Sequence, residues 1–421
     1  MSKKKKYRII IVIEVIILAA MLVFAYGVWQ YKKLGGEVFD PSDLEVYCDT
    51  GNYTNIALFG LDSRNGELED GVRSDCMMIA SINNQTHDVK IVSVYRDTLL
   101  LQKDGTYEKA NAAYSFGGAA EAIALLNRNF DLDIVKYVSV NFNALSDVID
   151  ALGGIDIEMT EEEVELTNSY IDHTAKVVGG KKTKLKGSGV VHCNGVQAVS
   201  YTRVRYTEGY DFKRTHRQRI VLDKVIEAAK KADFLTLNKI VNKVFPQVST
   251  NLTITNILAL AAHAMDYNVE KMSGYPFEVE ICENVMNHEG SYVIPIGLSD
   301  NVIALHKYLF EREDYEPSEV VWGINNDIIY MTGISPENHG DALDVSYSTD
   351  DSNKVERNHT QAPVVQEEVT ETYENPADYV APEEYVDPGT YEEPAPYVEP
   401  VPYVEAGTDE APGTYEEQQQ W

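Results

Sequence analysis

The stretch Arg73–Thr98, RSDCMMIASINNQTHDVKIVSVYRDT, decides how the chain folds. Its CMMIASI and VKIVSVY segments are short apolar runs, and NNQTHD between them is a turn-rich connector, so the pair reads as a β-hairpin. A symmetrical hairpin centred between Gln85 and Thr86 sets Asp75 opposite Arg96, with Asp97 next to it. Arg73, Asp75, Arg96 and Asp97 then gather at the open end. Just upstream, NIALFGL is a third apolar run bounded by turn signals, as expected of a buried strand. It ends at Asp62, which joins the cluster if this strand finishes at the same edge. Carboxylates beside arginines at strand ends have two readings. They stitch a sheet edge through ion pairs, or they hold magnesium, which takes one or two carboxylates and leaves the rest to phosphate oxygens and water.

Downstream the pattern continues as α/β. Lys109-Ala110-Asn111-Ala112-Ala113-Tyr114 runs into Phe116-Gly117-Gly118 and the helical AAEAIALLNRNF; the glycines read as a turn or as a helix N-terminus that receives an anion. KYVSVNF reads as a strand, ALSDVIDAL as a helix, and Gly153-Gly154 as its terminator. Glu161 to Gly189 is acidic, then lysine-rich, and reads as a surface insertion; its lysines lack the interleaved aromatics of a nucleic-acid patch. Two helical patterns follow in Asp233–Met265, with Leu252, Ile254, Ile257, Leu258, Leu260 and Ala261 expected in the core. GSYVIPIGLSDNVIALHKYLFERE then gives a strand and a helix closing the body near Arg312, and EVVWGINNDIIYM is expected to be peripheral.

A second cluster lies in YTRVRYTEGYDFKRTHRQR, Tyr201–Arg219. The chain carries a formal net charge of −31, yet this segment holds Arg203, Arg205, Lys213, Arg214, Arg217 and Arg219. Like charges about 4 Å apart repel by roughly 4 kcal/mol at an effective dielectric near 20, so converging arginines need carboxylates or an anionic ligand between them. VSYTRVRY reads as a strand, which puts Arg203 and Arg205 on one side. After a turn at Glu208–Asp211, a helix from about Phe212 places Arg214, Arg217, Gln218 and Val221 on one face. The segment is either a solvated basic face or a phosphate clamp, for which guanidinium forks are suited. His192 and His216 lie near these arginines and read as structural.

The two ends read differently from the body. Lys3–Lys6 and Arg8 precede an apolar span, 9–29, long enough for a bilayer core of about 30 Å. The basic flank predicts a cytoplasmic N-terminus (1–8) and an extracytoplasmic body, with a cleaved signal peptide as the alternative. Residues 30–53 follow as a stalk, 54–315 as the extracytoplasmic globular domain, and 316–350 as a peripheral segment. Cys48, Cys76, Cys193 and Cys282 lie outside the membrane, where disulfides are permitted, and form no CxxC pair, so zinc binding is not expected. From 351 to 421 the composition shifts to Pro, Glu, Tyr and Val, with Tyr373, Tyr379, Tyr385, Tyr391, Tyr397 and Tyr403 spaced by six residues. Such a tail is expected to be disordered, a solvated acidic spacer or a tyrosine edge that touches an extracellular polymer or a partner. An extracytoplasmic body also argues against a nucleic-acid partner.

Taken in order, GLDSR, RSDCMMIASIN, VSVYRDT, KANAAYSFGG, YVSVNFNAL, DALGGID and YTRVRY followed by DFKRTHRQR resemble the LytR-CpsA-Psr family of membrane-anchored enzymes in bacterial envelope assembly. The resemblance implies a layered α-β-α fold around a central mixed sheet. It also implies a magnesium-assisted phosphotransferase that moves a glycopolymer from a polyprenyl-pyrophosphate carrier to peptidoglycan. On this reading Asp62 and Asp75 hold the metal. Arg73, Arg96, Lys109, Arg203, Arg205, Arg214, Arg217 and Gln218 meet the pyrophosphate, and Asp97 orients an arginine or helps activate the acceptor hydroxyl. The family's usual lysine-isoleucine-asparagine stands here as Lys109-Ala110-Asn111. The polymer could be teichoic acid, capsule or another wall glycan.

Overall fold

The structure, a computed structural model, describes residues 25–62, 71–204, 210–285, 288–340 and 343–344. Its strands are β1 (Tyr53–Leu61), β2 (Ser74–Asn83), β3 (Asp88–Val94), β4 (Leu99–Leu101), β5 (Tyr107–Lys109), β6 (Lys136–Asn141), β7 (Ile155–Met159), β8 (Gly189–Cys193), β9 (Val248–Thr250), β10 (Asn268–Val269), β11 (Ser273–Tyr275), β12 (Glu278–Val285), β13 (His288–Pro295) and β14 (Leu343–Asp344). The helices are α1 (Ala112–Phe130), α2 (Phe142–Leu152), α3 (Glu161–Val178), α4 (Gly195–Arg203), α5 (Tyr210–Lys231), α6 (Phe234–Val244), α7 (Ile254–Ala262), α8 (Leu298–Phe310) and α9 (Glu319–Thr332).

The central sheet has the order β10-β3-β2-β1-β6-β9, with β11 also on β3. It is mixed: β2 runs antiparallel to β1 and β3, while β6 is parallel to β1 and β11 to β3. The hairpin pairs Met77 with Val94 and Ile82 with Val89, the register expected from its symmetry. Alternation along β2 sends Met77 and Ile79 to one face, where they meet α1, α8 and α9, and Met78, Ala80 and Ile82 to the other, where Leu222 and Ile226 of α5 cover them. Helices on both faces explain why these strands read as continuous apolar runs.

Several expectations need correction. Residues 195–203 are helical, not a strand: Asn194 accepts from the Gln197 N–H in a capping box. A Cβ on Gly195 would lie 2.2 Å from the Ser146 carbonyl oxygen, so α4 packs tightly on α2. The β-branched and aromatic composition of VSYTRV gives way to that packing. Glu161–Gly189 is mostly α3, opened by a Thr160–Glu163 capping box, and Val164, Ile171 and Ala175 join a second core with the β7–β8 pair. Gly117 and Gly118 kink α1 rather than precede it. In α7 no residue is buried, so Ile254, Ile257, Leu258, Leu260 and Ala261 are not the core helix expected, although Leu252 ahead of it is buried. The segment expected to be peripheral supplies α9, whose Val321, Ile324 and Ile328 belong to the first core.

All four cysteines are free. Most of the apolar span 9–29, and the whole of the repeat tail, lie outside the described residues, among which no helix is long and apolar enough to cross a membrane.

Candidate active site

The open end of the β2–β3 hairpin and the first turns of α5 form one charged cluster. Arg96, just beyond β3, is its hub: Nη1 donates to Asp75 Oδ1 at 2.9 Å, and Nε lies 3.1 Å from Asp211 Oδ1 and 3.4 Å from Asp97 Oδ2. Arg214, only 2% exposed, donates from Nη2 to the Asp75 carbonyl at 2.9 Å. Its Nε is 3.3 Å from Asp211 Oδ1, an ionic contact rather than an aligned hydrogen bond. Gln218 reaches the same Asp75 carbonyl at 3.3 Å, and Lys109 from β5 lies 3.3 Å from Asp97 Oδ1.

The backbone locks this geometry. Asn111 N donates to the Arg96 carbonyl at 3.0 Å and Val293 N to that of Asp97 at 2.9 Å. Phe212 is buried edge-on against Tyr95 with centroids 4.6 Å apart, which pins the start of α5 over the end of β3.

Three carboxylates, Asp75, Asp97 and Asp211, thus face three cations, Arg96, Lys109 and Arg214. Burial opposes the charge of Arg96, but Asp211, Asp75 and Asp97 outweigh it and hold its pKa above the ordinary guanidinium value. The cluster is not closed on itself. Asp211 Oδ2 and Arg214 Nη1 are buried with no hydrogen-bond partner among the described residues. Unsatisfied charged groups are costly in a finished interior and are characteristic of sites that await a ligand. Asp211 was absent from the sequence-derived set because the turn expected there hid it. Its signal was the i,i+3 spacing to Arg214.

The other expected residues are distributed unevenly. Asp62 is half-buried immediately beyond β1, and Arg73 is exposed one residue before β2. Arg205 lies outside the described residues. Arg203, at the end of α4, meets His173 Nδ1 at 3.0 Å and Thr174 Oγ1 at 3.1 Å, with its guanidinium 5.2 Å from the Phe142 ring centroid. Arg217 pairs with Glu163 at 3.1 Å and donates to the Val204 carbonyl at 3.3 Å. The helical face expected of α5 exists, but it is split: Arg214 and Gln218 touch Asp75, whereas Arg217 reaches α3. His192 bonds Asp156 Oδ1 and the Gly153 carbonyl.

Beside the cluster lies an apolar cavity of about 260 Å³ between the sheet and helices α2 and α5. Leu58, Val138, Val140, Phe142, Leu145 and Leu222 are among its walls, and Asp75 and Gln218 belong to its lining. The cavity was not legible in the sequence, since an apolar stripe that lines a void is written like one that fills a core.

The sequence profile of the LytR_cpsA_psr family matches residues 30–302. A curated relative from Bacillus mycoides (strain KBAB4), the polyisoprenyl-teichoic acid–peptidoglycan teichoic acid transferase TagU, is 31% identical over 268 residues, 60% of this chain and 81% of its own. The transferase of the same description, TagV from Bacillus subtilis (strain 168), is 29% identical over 268 residues, 62% of this chain. The match spans 65% of TagV's length, just under two thirds. Among solved structures, a protein of Enterococcus faecalis described as a transcriptional regulator superposes with a TM-score of 0.51 at 22% identity, covering 67% of this chain and 97% of its own. That likeness concerns the fold alone.

Proposed function

The chain belongs to the LytR-CpsA-Psr family, and from that premise we propose that it transfers a glycopolymer from a polyprenyl-pyrophosphate carrier to a sugar hydroxyl of peptidoglycan. The observation that carries this reading is the pairing of an unsatisfied, buried arginine–carboxylate cluster with an adjoining apolar cavity. A pyrophosphate joined to a long isoprenoid needs both, one for each end. Arg96, Arg214 and Gln218 would meet the pyrophosphate oxygens, with Arg73 and Lys109 at the rim. Arg203 and Arg217 remain proposed contributors from the α3–α4 side, and Arg205, outside the described residues, remains proposed as well.

The acceptor hydroxyl oxygen forms a bond to the sugar-linked phosphorus. The bond from that phosphorus to the bridging oxygen breaks, and polyprenyl phosphate leaves with the electron pair. The arginines stabilise charge on the equatorial oxygens, which is most of what phosphoryl transfer asks of a protein. Both oxygens of Asp97 stand against cations, so it orients Arg96 and Lys109. Asp211 Oδ2, buried with no hydrogen-bond partner among the described residues, would take the hydroxyl proton.

Magnesium suits hard carboxylate oxygens such as those of Asp62 and Asp75, and a cation there would offset the charge near Asp211 Oδ2, which is buried without a hydrogen-bond partner among the described residues. Asp62 and Asp75 would hold it, and it would neutralise charge on the pyrophosphate. A single-pass anchor at 9–29 and an extracytoplasmic body belong to the same proposal. Its support is the lysine cluster Lys3–Lys6 with Arg8 ahead of the apolar run. Teichoic acid, the polymer in the names of TagU and TagV, is the first candidate substrate.

The test is an assay of the full-length protein with magnesium, a polyprenyl-pyrophosphate glycan and peptidoglycan oligomers. Polymer transfer is expected. Phosphate release alone would make the protein a hydrolase, and binding without turnover a scaffold. An Arg96→Ala/Arg214→Ala double variant should lose transfer, and full activity in it would sink the site assignment. Val140→Phe, which narrows the cavity, should impair long isoprenoid carriers more than short-chain analogues.

A further inference from the structure

The closed end of the β2–β3 hairpin holds a second constellation, at the opposite end of these strands from Asp75 and Arg96. His87 occupies the last turn position before β3 with φ of 64°, a left-handed conformation that a non-glycine residue adopts at a cost of about 1–2 kcal/mol. Its ring stacks on that of His263, centroids 4.4 Å apart and planes inclined by 29°. His263 caps the C-terminus of α7, and Asp266 lies in the turn that follows, with Oδ2 3.2 Å from His263 Nδ1. One ligand atom from each of the three residues lies within 4.8 Å of the other two.

We propose that His87, His263 and Asp266 form a binding site for a divalent transition metal, zinc by class. Zinc bonds imidazole nitrogen and carboxylate oxygen at about 2.0–2.2 Å in tetrahedral geometry, which sets ligand atoms about 3.3 Å apart. The His263–Asp266 separation already matches that edge. The two stacked rings must turn about their side-chain bonds to aim their in-plane nitrogen lone pairs at one ion, and these side chains are exposed or half-buried. Two imidazoles and one carboxylate select borderline metals such as zinc over magnesium. Three protein ligands leave the fourth position to water. A cavity of about 320 Å³, with His87 and His263 in its lining alongside Asn84, Asn256 and Lys136, gives that water room. The expectation against zinc rested on cysteine spacing, and this trio uses no cysteine.

The site has a structural use. None of the α7 residues is buried, and Leu258 is 56% exposed, so packing holds this helix weakly. Its C-terminal turn is tied to the hairpin by β10, where Asn268 N donates to the His87 carbonyl at 3.1 Å and Asn268 Nδ2 to Asp88 Oδ1 at 3.0 Å. A metal shared by His87 and His263 staples α7 to the sheet edge, and its binding energy then adds to folding stability.

Calorimetric titration of the chelator-stripped full-length protein with zinc chloride, followed by thermal unfolding, tests the proposal. One zinc per chain and a raised unfolding temperature are expected, with no rise from magnesium at the same concentration. His87→Asn keeps a side chain that tolerates positive φ, and His263→Asn keeps a helix C-cap. Each should weaken zinc binding by at least about tenfold while the metal-free unfolding temperature stays that of the parent. Absence of zinc binding in the parent protein, or equal binding by the double variant, overturns the site.

Discussion

Asp211 shares one oxygen between Arg96 and Arg214 and leaves the other buried without a partner among the described residues, so its charge serves the cluster in two ways. Asp211→Asn keeps the shape and removes the charge, leaving three cations against two carboxylates. The excess positive charge should bind pyrophosphate as well or better, so KM is expected to hold or fall. The lost proton acceptor and the loosened Arg96 should lower kcat by about 10²-fold, the scale of a single general base or oxyanion donor. Steady-state kinetics separates the two, and a kcat within about threefold of the parent would assign Asp211 a merely structural role. At this scale the sequence was readable where chemistry and register coincide. Asp75 opposite Arg96 followed from hairpin symmetry alone, whereas Asp211 looked like a turn residue until α5 was seen to start at Tyr210. An acid in the first turn of a helix is favoured by the dipole, which is a reason to extend such helices one turn upstream.

Elements carry the site as firmly as residues do, and β11 is the least obvious of them. Gly274 pairs with Ser93 at the sheet edge, and an ideal Cβ there would stand 1.9 Å from the Tyr95 hydroxyl oxygen. Tyr95 is 1% exposed and carries Phe212 edge-on, next in sequence to Asp211. Gly274→Ala therefore should push Tyr95 away, shift the start of α5 and cost about 1–3 kcal/mol, as overpacked sites do. Transfer should fall although no charged residue has changed. Urea unfolding together with the transfer assay checks this, and a fully active, equally stable variant would show that the contact relaxes freely. Such dependence cannot be read from sequence, because Gly274 sits in a three-residue strand whose neighbour is set by tertiary packing. The helix α4 teaches the same lesson from the other side. Its strand-like composition lost to a capping box at Asn194–Gln197 and to the close seat of Gly195 on α2, neither of which periodicity weighs. By contrast β1, β2 and β3, with core on both faces, were legible as apolar runs bounded by turns, and β6 as a shorter strand buried on one face.

Across the whole molecule, two buried histidines set how the fold answers to acid. His216 on α5 has its pKa pushed down to about 3, by burial first and then by Arg219, Arg217 and Lys213. His306 on α8 is brought down to about 4, again by burial first and by Arg312, against a bond to the Phe130 carbonyl and the charge of Asp131 that favour its protonated form. The ring of His306 is stacked on Tyr315 at 3.5 Å. Both folded values lie below the unfolded one near 6.5, so between these limits the unfolded chain binds more protons than the folded one. Stability is then full above about pH 7 and falls as the pH drops through 6.5, each histidine costing on the order of 1 kcal/mol between pH 7.5 and 5.5. Together they remove on the order of 2 to 3 kcal/mol, a substantial part of an ordinary domain's margin. His216 follows Thr215 directly from Arg214, while His306 lies on the far face of the sheet, so acid loosens the site and the first core together. Urea midpoints at the two pH values measure the loss. His306→Gln, which keeps a polar group near the Phe130 carbonyl without a titrating ring, should remove about half of it. A pH-independent midpoint in the parent protein would mean that both rings take up protons in the folded state as they do in the unfolded chain, so that burial does not hold their pKa down.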